Sequence, residues 1–153
     1  MRILGILTVA VLGLTSGAML TEAVIIVPFW LGLTPTEFYT WYAKNQAALV
    51  NFYSPLEISS MVLALVLSIL FFTRNEDKKW VMLGSAILSI LVIATFFVFF
   101  KDANAAFNAR SIEEGKLSLA IMTWGNWQWF RVFLGLGAFV LSVMAIQGSK
   151  KIS

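Results

Sequence analysis

Neither cysteine nor histidine occurs among the 153 residues of this chain. That double absence removes disulfides, thiolate nucleophiles, His- or Cys-held zinc, and the usual ligation of haem and iron–sulfur clusters. Charge is scarce too: Asp, Glu, Lys and Arg make up 12% of the chain, about half the ~25% of an ordinary soluble domain. The net charge of +3 is spread along the sequence without a basic tract or an aromatic-basic groove, so nucleic acid is not an expected partner. What is abundant is apolar surface. Hydrophobic residues account for 59% and the mean hydropathy is +0.85, which is the composition of a membrane protein.

A bilayer core of about 30 Å takes about 20 mostly apolar residues per helix. Four segments meet that length, at about 3–31, 55–72, 80–100 and 127–146. The N-terminal MRILGILTVAVLGLTSGA has the pattern of a signal peptide, but apolar character resumes in AVIIVPFWLGL, so 3–31 reads as one long span able to bend at Pro28. The fold class expected is all-α: a single integral membrane domain over 1–153, built as a four-helix transmembrane bundle.

Two connections carry further structure. Thr34, Pro35 and Glu37 form a capping-box pattern with proline at the first helical position. Phe38, Trp41, Tyr42, Asn45, Leu49 and Phe52 then share one helical face, which predicts an additional amphipathic helix over about 35–52 between spans one and two. KDANAAFNAR extends the third helix past its span, and Ser111 with Glu114 reads as a second capping box that starts the fourth helix early. Basic residues set the expected orientation. Arg2, Arg74, Lys78, Lys79, Lys150 and Lys151 sit in short segments on one face, against Lys44, Lys101, Arg110, Lys116 and Arg131 on the other, which places both termini in the cytoplasm of a bacterial inner membrane.

This topology gathers Glu22, Glu57, Lys101, Asp102 and Arg131 in one half of the spans. The other half has only small polar residues such as Thr8, Ser68, Ser85 and Ser142. An ionised side chain at bilayer depth costs about 2.5–3.5 kcal/mol on the gentlest insertion scale, so Glu22 requires a cation, a proton or water. Arg131 is its expected partner, because a guanidinium stays charged and offers a planar fork of donors, and Glu57 is placed to share that fork. Plainer readings exist for several of these residues. Arg131 can snorkel to the headgroups, while Trp124, Trp127 and Trp129 can form an interfacial belt. Ser54 and Glu57 match an N-cap with an acid in the first turn. Asn104 and Asn108, one turn apart, can line a polar mouth. The Gly13/Gly17 GxxxG and the small face of Gly135, Gly137 and Ala138 read as close helix packing, with the GxxxG also offering a face for a homo-oligomer.

Four spans, an aromatic connection with Pro35, an Asn-bearing end to span three, and Trp124-x-x-Trp127-Gln128-x-x-Arg131 opening span four together resemble the anthrone oxygenase-like family. The similarity covers nearly the whole chain. Trp124 and Arg131 match the family spacing, Gln128 stands where asparagine is usual, and Asn104 and Asn108 follow the family's asparagine element without its proline. The resemblance implies a small integral membrane protein, with relatives that oxidise anthrones to anthraquinones using molecular oxygen and no bound metal, flavin or other cofactor.

Two functions follow as expectations. In the first, a hydrophobic aromatic molecule and oxygen are the partners. Glu22 or Glu57 removes a proton from carbon, Arg131 with Gln128 steadies the resulting oxyanion, and Trp124, Trp127 and Tyr42 stack on the ring while Trp41, Asn45 and Asn104 complete the pocket. In the second, the Glu–Arg cluster is structural and the module binds membrane lipids, a quinone or a partner protein without turnover.

Overall fold

The computed structural model describes residues 1–147, so Lys150 and Lys151 of the expected basic face lie outside the described residues. Among the described residues there are no strands, and four helices are long and apolar enough to cross a membrane: α1 (Arg2–Leu31), α2 (Pro35–Thr73), α3 (Lys79–Asn108) and α4 (Glu114–Gln147). They mark an integral membrane protein with a helical bundle. Each helix packs against its chain neighbours and α1 closes the ring on α4. One end of the bundle holds residue 1, the α2–α3 turn and the end of α4. The other, here the aromatic end, holds the α1–α2 and α3–α4 connections.

The surface is more apolar than much of the interior. Ile3, Leu14, Val98 and Phe133 are among the large residues turned outward, while Thr8, Thr15, Ser16, Ser60, Ser68, Ser85, Ser89 and Ser142 are buried. Most of these hydroxyls donate to a carbonyl of their own helix, as Thr8 does to Leu4 at 2.8 Å and Ser89 to Ser85 at 2.9 Å. Ser85 instead crosses from α3 to the Ala138 carbonyl of α4 at 2.7 Å. Small residues permit that approach. A Cβ on Gly135 would run into Met19 Cε and Ser16 Oγ, and one on Gly13 would lie 3.2 Å from the Phe139 ring. Gly17 meets nothing within 4 Å, so only half of the GxxxG serves packing inside the bundle.

α2 is the largest departure from expectation. The amphipathic segment and the second span are one uninterrupted helix of 39 residues, with Pro55 inside it. Proline removes one backbone donor, a loss that a membrane helix packed against neighbours tolerates. At about 1.5 Å per residue α2 is close to 60 Å long, twice the hydrocarbon thickness. Its first turn is capped as expected, with Thr34 and Glu37 forming both bonds of the box. Its buried face is Phe38, Tyr39 and Tyr42, with Trp41 and Asn45 half-buried and Phe52 outside. Ser54 caps nothing, because the helix runs through it. The second expected box is not made either: Ser111 Oγ donates to the Ala106 carbonyl, and α4 begins at Glu114.

Two π-turns interrupt the helices, Glu22–Ile26 in α1 and Phe96–Phe100 in α3. The first sits directly before Pro28, whose ring would crowd the carbonyl four residues back; widening the turn relieves that clash. The second moves the inward face of α3 from Thr95 to Phe100, a step of five residues where a regular helix would bring Phe99 inward.

Candidate functional site

The aromatic end is roofed by a cluster of large rings. Trp30, Phe38, Tyr39, Tyr42, Phe100, Phe107 and Trp124 are buried there with Leu117 and Ile121. Trp30 is its hub, in edge contact with Phe38, Trp41, Tyr42, Phe107 and Trp124. Tyr39 ties α2 to the α3–α4 connection by donating to the Ile112 carbonyl at 3.1 Å. Below the roof lies the polar cluster, and below that Met19 and Val132 form a fully buried floor.

Arg131 does meet an acid, but it is Glu57. Nη2 pairs with Glu57 Oε1 at 2.5 Å, both side chains being more than nine-tenths buried. Nη1 donates to Gln128 Oε1 at 3.2 Å, and the guanidinium lies over the Phe100 ring at 4.7 Å. Glu22 is reached only through Gln128, whose Nε2 donates to Glu22 Oε2 at 2.8 Å and to the Met19 carbonyl at 3.1 Å. The expected direct Glu22–Arg131 pair is therefore replaced by a relay, Glu57–Arg131–Gln128–Glu22. The physical reason is spacing: Gln128 lies three residues before Arg131 on α4, so it occupies the same face between the cation and α1. Glu57 in turn is a mid-helix residue with a buried partner, which overturns its reading as a first-turn acid.

The relay borders a cavity of about 70 Å³, lined by Glu22, Trp30, Tyr42, Gln46, Leu49, Val50, Tyr53, Ser54, Glu57, Phe96, Phe100, Asn104, Trp124 and Arg131. Its polar inventory is unbalanced. Among the described residues, Trp30 Nε1 and Arg131 Nε are buried donors without any partner. Such groups are rare, and each is costly to leave unsatisfied. Glu22 Oε2 is held by Gln128, while Oε1 accepts no bond among the described residues. Two carboxyl groups face a single guanidinium, so the cluster is neutral only when it holds one proton or one further positive group.

Of the residues singled out in the sequence, Glu22, Glu57, Arg131, Trp124, Tyr42 and Asn104 come together at this cavity, and Gln128 braces it from behind. Asn104 accepts from Trp124 Nε1 at 2.9 Å and so positions the ring. Lys101, Asp102, Asn108 and Trp129 are exposed away from it, and three of the expected pocket residues do not join it. Trp127 stacks on Phe99 outside the cavity, Trp41 packs on Phe29 and Trp30, and Asn45 donates to the Trp41 carbonyl. Residues that sequence reasoning passed over include Trp30, Gln46, Tyr53, Phe96 and Phe100. Tyr53 had a readable signal, one turn before Glu57 on the same face. Phe100 had none, since only the π-turn brings it inward.

Among the described residues no group of three or more Asp or Glu side chains is placed to hold a metal ion. No protein-family model, curated protein or solved structure matches the chain.

Proposed function

We propose that the protein binds a hydrophobic aromatic or quinone-like molecule in this cavity and removes a proton from it with Glu22, as the first step of a cofactor-independent oxidation of the kind the family resemblance implies. The carrying observation is a buried acid with one carboxyl oxygen unspent at an aromatic cavity whose lining includes Trp30 and Arg131, each with an unpartnered N–H. Glu57 is occupied by Arg131, which leaves Glu22 as the base. Arg131, in the cavity lining beside Trp30, supplies fixed positive charge to an oxyanion that forms as the proton leaves, where preorganised groups act most strongly. In the anthrone case the ring CH2 becomes C=O: one oxygen atom of O2 enters the product, and the other leaves as water with the two hydrogens. The site lies in the outward half of a protein with both termini cytoplasmic, and the first half of α2 serves as the amphipathic cover.

The test is oxygen uptake by the protein in lipid with a panel of anthrones and quinols. Uptake well above protein-free lipid, lost in Glu22→Gln with the fold retained, is the expected result; no acceleration with any substrate removes the enzymatic reading. A second reading, a noncatalytic lipid- or quinone-binding module, is favoured by the closed and buried Glu57–Arg131 pair. It predicts ligand binding without uptake.

A further inference from the structure

The cavity has one side that the bundle does not close. The seam between α2 and α3 is shut at the aromatic end, where Phe38 and Tyr42 pack on Phe107 at 5.1 and 5.5 Å between ring centres. Toward the other end Leu67 and Phe71 of α2 share a core with Met82 and Ala86 of α3. Between these closures the two helices approach less closely along the Phe96–Phe100 π-turn. There Val50 is 45% exposed and Phe96 38% exposed, yet both line the cavity. A residue that borders a buried cavity and is also open to the outside stands at its mouth. On α2, Trp41 contacts α1, and Val50 and Ser54 fall on the opposite flank at helical spacing, which is the α3 side.

What lies outside this mouth is apolar. Ile58, Phe97 and Val98 are exposed at neighbouring positions. About 20 residues counted from the non-aromatic end of each helix reach Glu22, Tyr53, Phe99 and Trp127, so the mouth opens near the rim of the hydrocarbon layer. Polarity rises with burial along the lining: Val50 and Phe96 are exposed, whereas Glu22, Trp30 and Arg131 are buried. Roof and floor are closed by Trp30, Met19 and Val132, each at most 1% exposed. The space of about 70 Å³ inside the mouth is half the ~150 Å³ that takes up benzene in an apolar cavity. It admits the oxygen-bearing edge of a narrow head, with the rest of the molecule reaching back through the mouth. A carboxylate head is disfavoured, because two carboxyl groups already face one cation.

Resting on the reading of this cavity as a ligand site, we infer that its ligand is a bilayer-dissolved molecule with a neutral, single-ring quinone or phenol head and an apolar tail, inserted sideways through a window between Val50 and Ser54 of α2 and Phe96 of α3.

The absence of cysteine makes the test clean. Val50→Cys, reconstituted in lipid nanodiscs, carries a single thiol, as does Leu14→Cys on the lipid face of the opposite half. Binding of a decyl-tailed benzoquinone, of tail-less benzoquinone and of anthrone is measured by isothermal titration before and after a bulky maleimide is attached. Expected is tightest binding of the tailed quinone, protection of Val50→Cys from the maleimide by that ligand, and a loss of roughly tenfold or more in affinity on labelling Val50→Cys, with labelled Leu14→Cys unchanged. Equal melting temperatures before and after labelling show that the fold persists. Unchanged binding to labelled Val50→Cys overturns the window while leaving the cavity as a ligand site. Tighter binding of anthrone than of the tailed quinone overturns the narrow head. No binding of any probe by the unmodified protein overturns the ligand-site reading beneath both.

Discussion

The two halves of the bundle are built on opposite rules. Toward residue 1 and the α2–α3 turn, the helices are regular, and their core combines Ala64, Ala86, Ala138 and Ala145 with Leu12, Leu67, Phe71 and Met82. Its polar groups are hydroxyls satisfied by nearby carbonyls. Toward the aromatic end, both π-turns occur, the rings are large, and a buried acid, amide, cation and acid form a relay with donors left over. Small residues let backbones close on each other, although a hollow of about 270 Å³ remains at the outer end of this half beside Met1, Gly5, Leu67, Phe71 and Ile146. Large rings meeting edge to face cannot fill space as completely, and a widened helical turn sets neighbouring helices apart. One half therefore brings backbones together through small residues, and the other places a cavity against buried charged and aromatic groups.

That contrast predicts opposite responses to substitution. The largest effect is expected from Arg131→Met, which strands Glu57 as a buried charge and should cost about 3–5 kcal/mol in reversible unfolding. Adding Glu57→Leu should recover much of that loss, because replacing both partners of a buried pair by apolar residues is often neutral; additive losses in the double variant would show that the two residues are not energetically paired. In the tight half the sensitive change is an addition. Gly135→Leu must displace Met19 and Ser16, and overpacking of this kind costs about 1–3 kcal/mol. A wild-type melting temperature for that variant would mean that the tight half is looser than described. Smallest is Ser85→Ala, which removes the bond to the Ala138 carbonyl; a loss of about 0.6 kcal/mol is the average for interhelical hydrogen bonds in membranes. A loss several times greater would erase the distinction between a polar network at one end and locally satisfied hydroxyls at the other.

Much of this was legible along the chain. Apolar run length marked four spans, and the Thr34–Glu37 box marked the start of α2 because its chemistry is local. Glu22 stood out because an acid so far inside a span is costly wherever it points. Less legible was anything that depends on continuity or phase. Pro55 and Ser54 carry the local signals of a helix boundary, yet packing on both sides carries α2 straight through. FFVFF reads as undifferentiated lipid or core contact until the π-turn assigns Phe100 to Arg131 and Phe99 to Trp127.

The sequence by itself determined a membrane protein of four apolar helices with the ionisable residues of its spans confined to one half, because transfer free energies depend on composition and run length rather than on partners. Only the tertiary structure decided that Arg131 pairs with Glu57, that Gln128 carries the connection to Glu22, and that Trp30 and Phe100 face the cavity. Those outcomes hang on helix rotation and on where a single extra residue is absorbed in a turn, and a 3.6-residue periodicity holds no information about either.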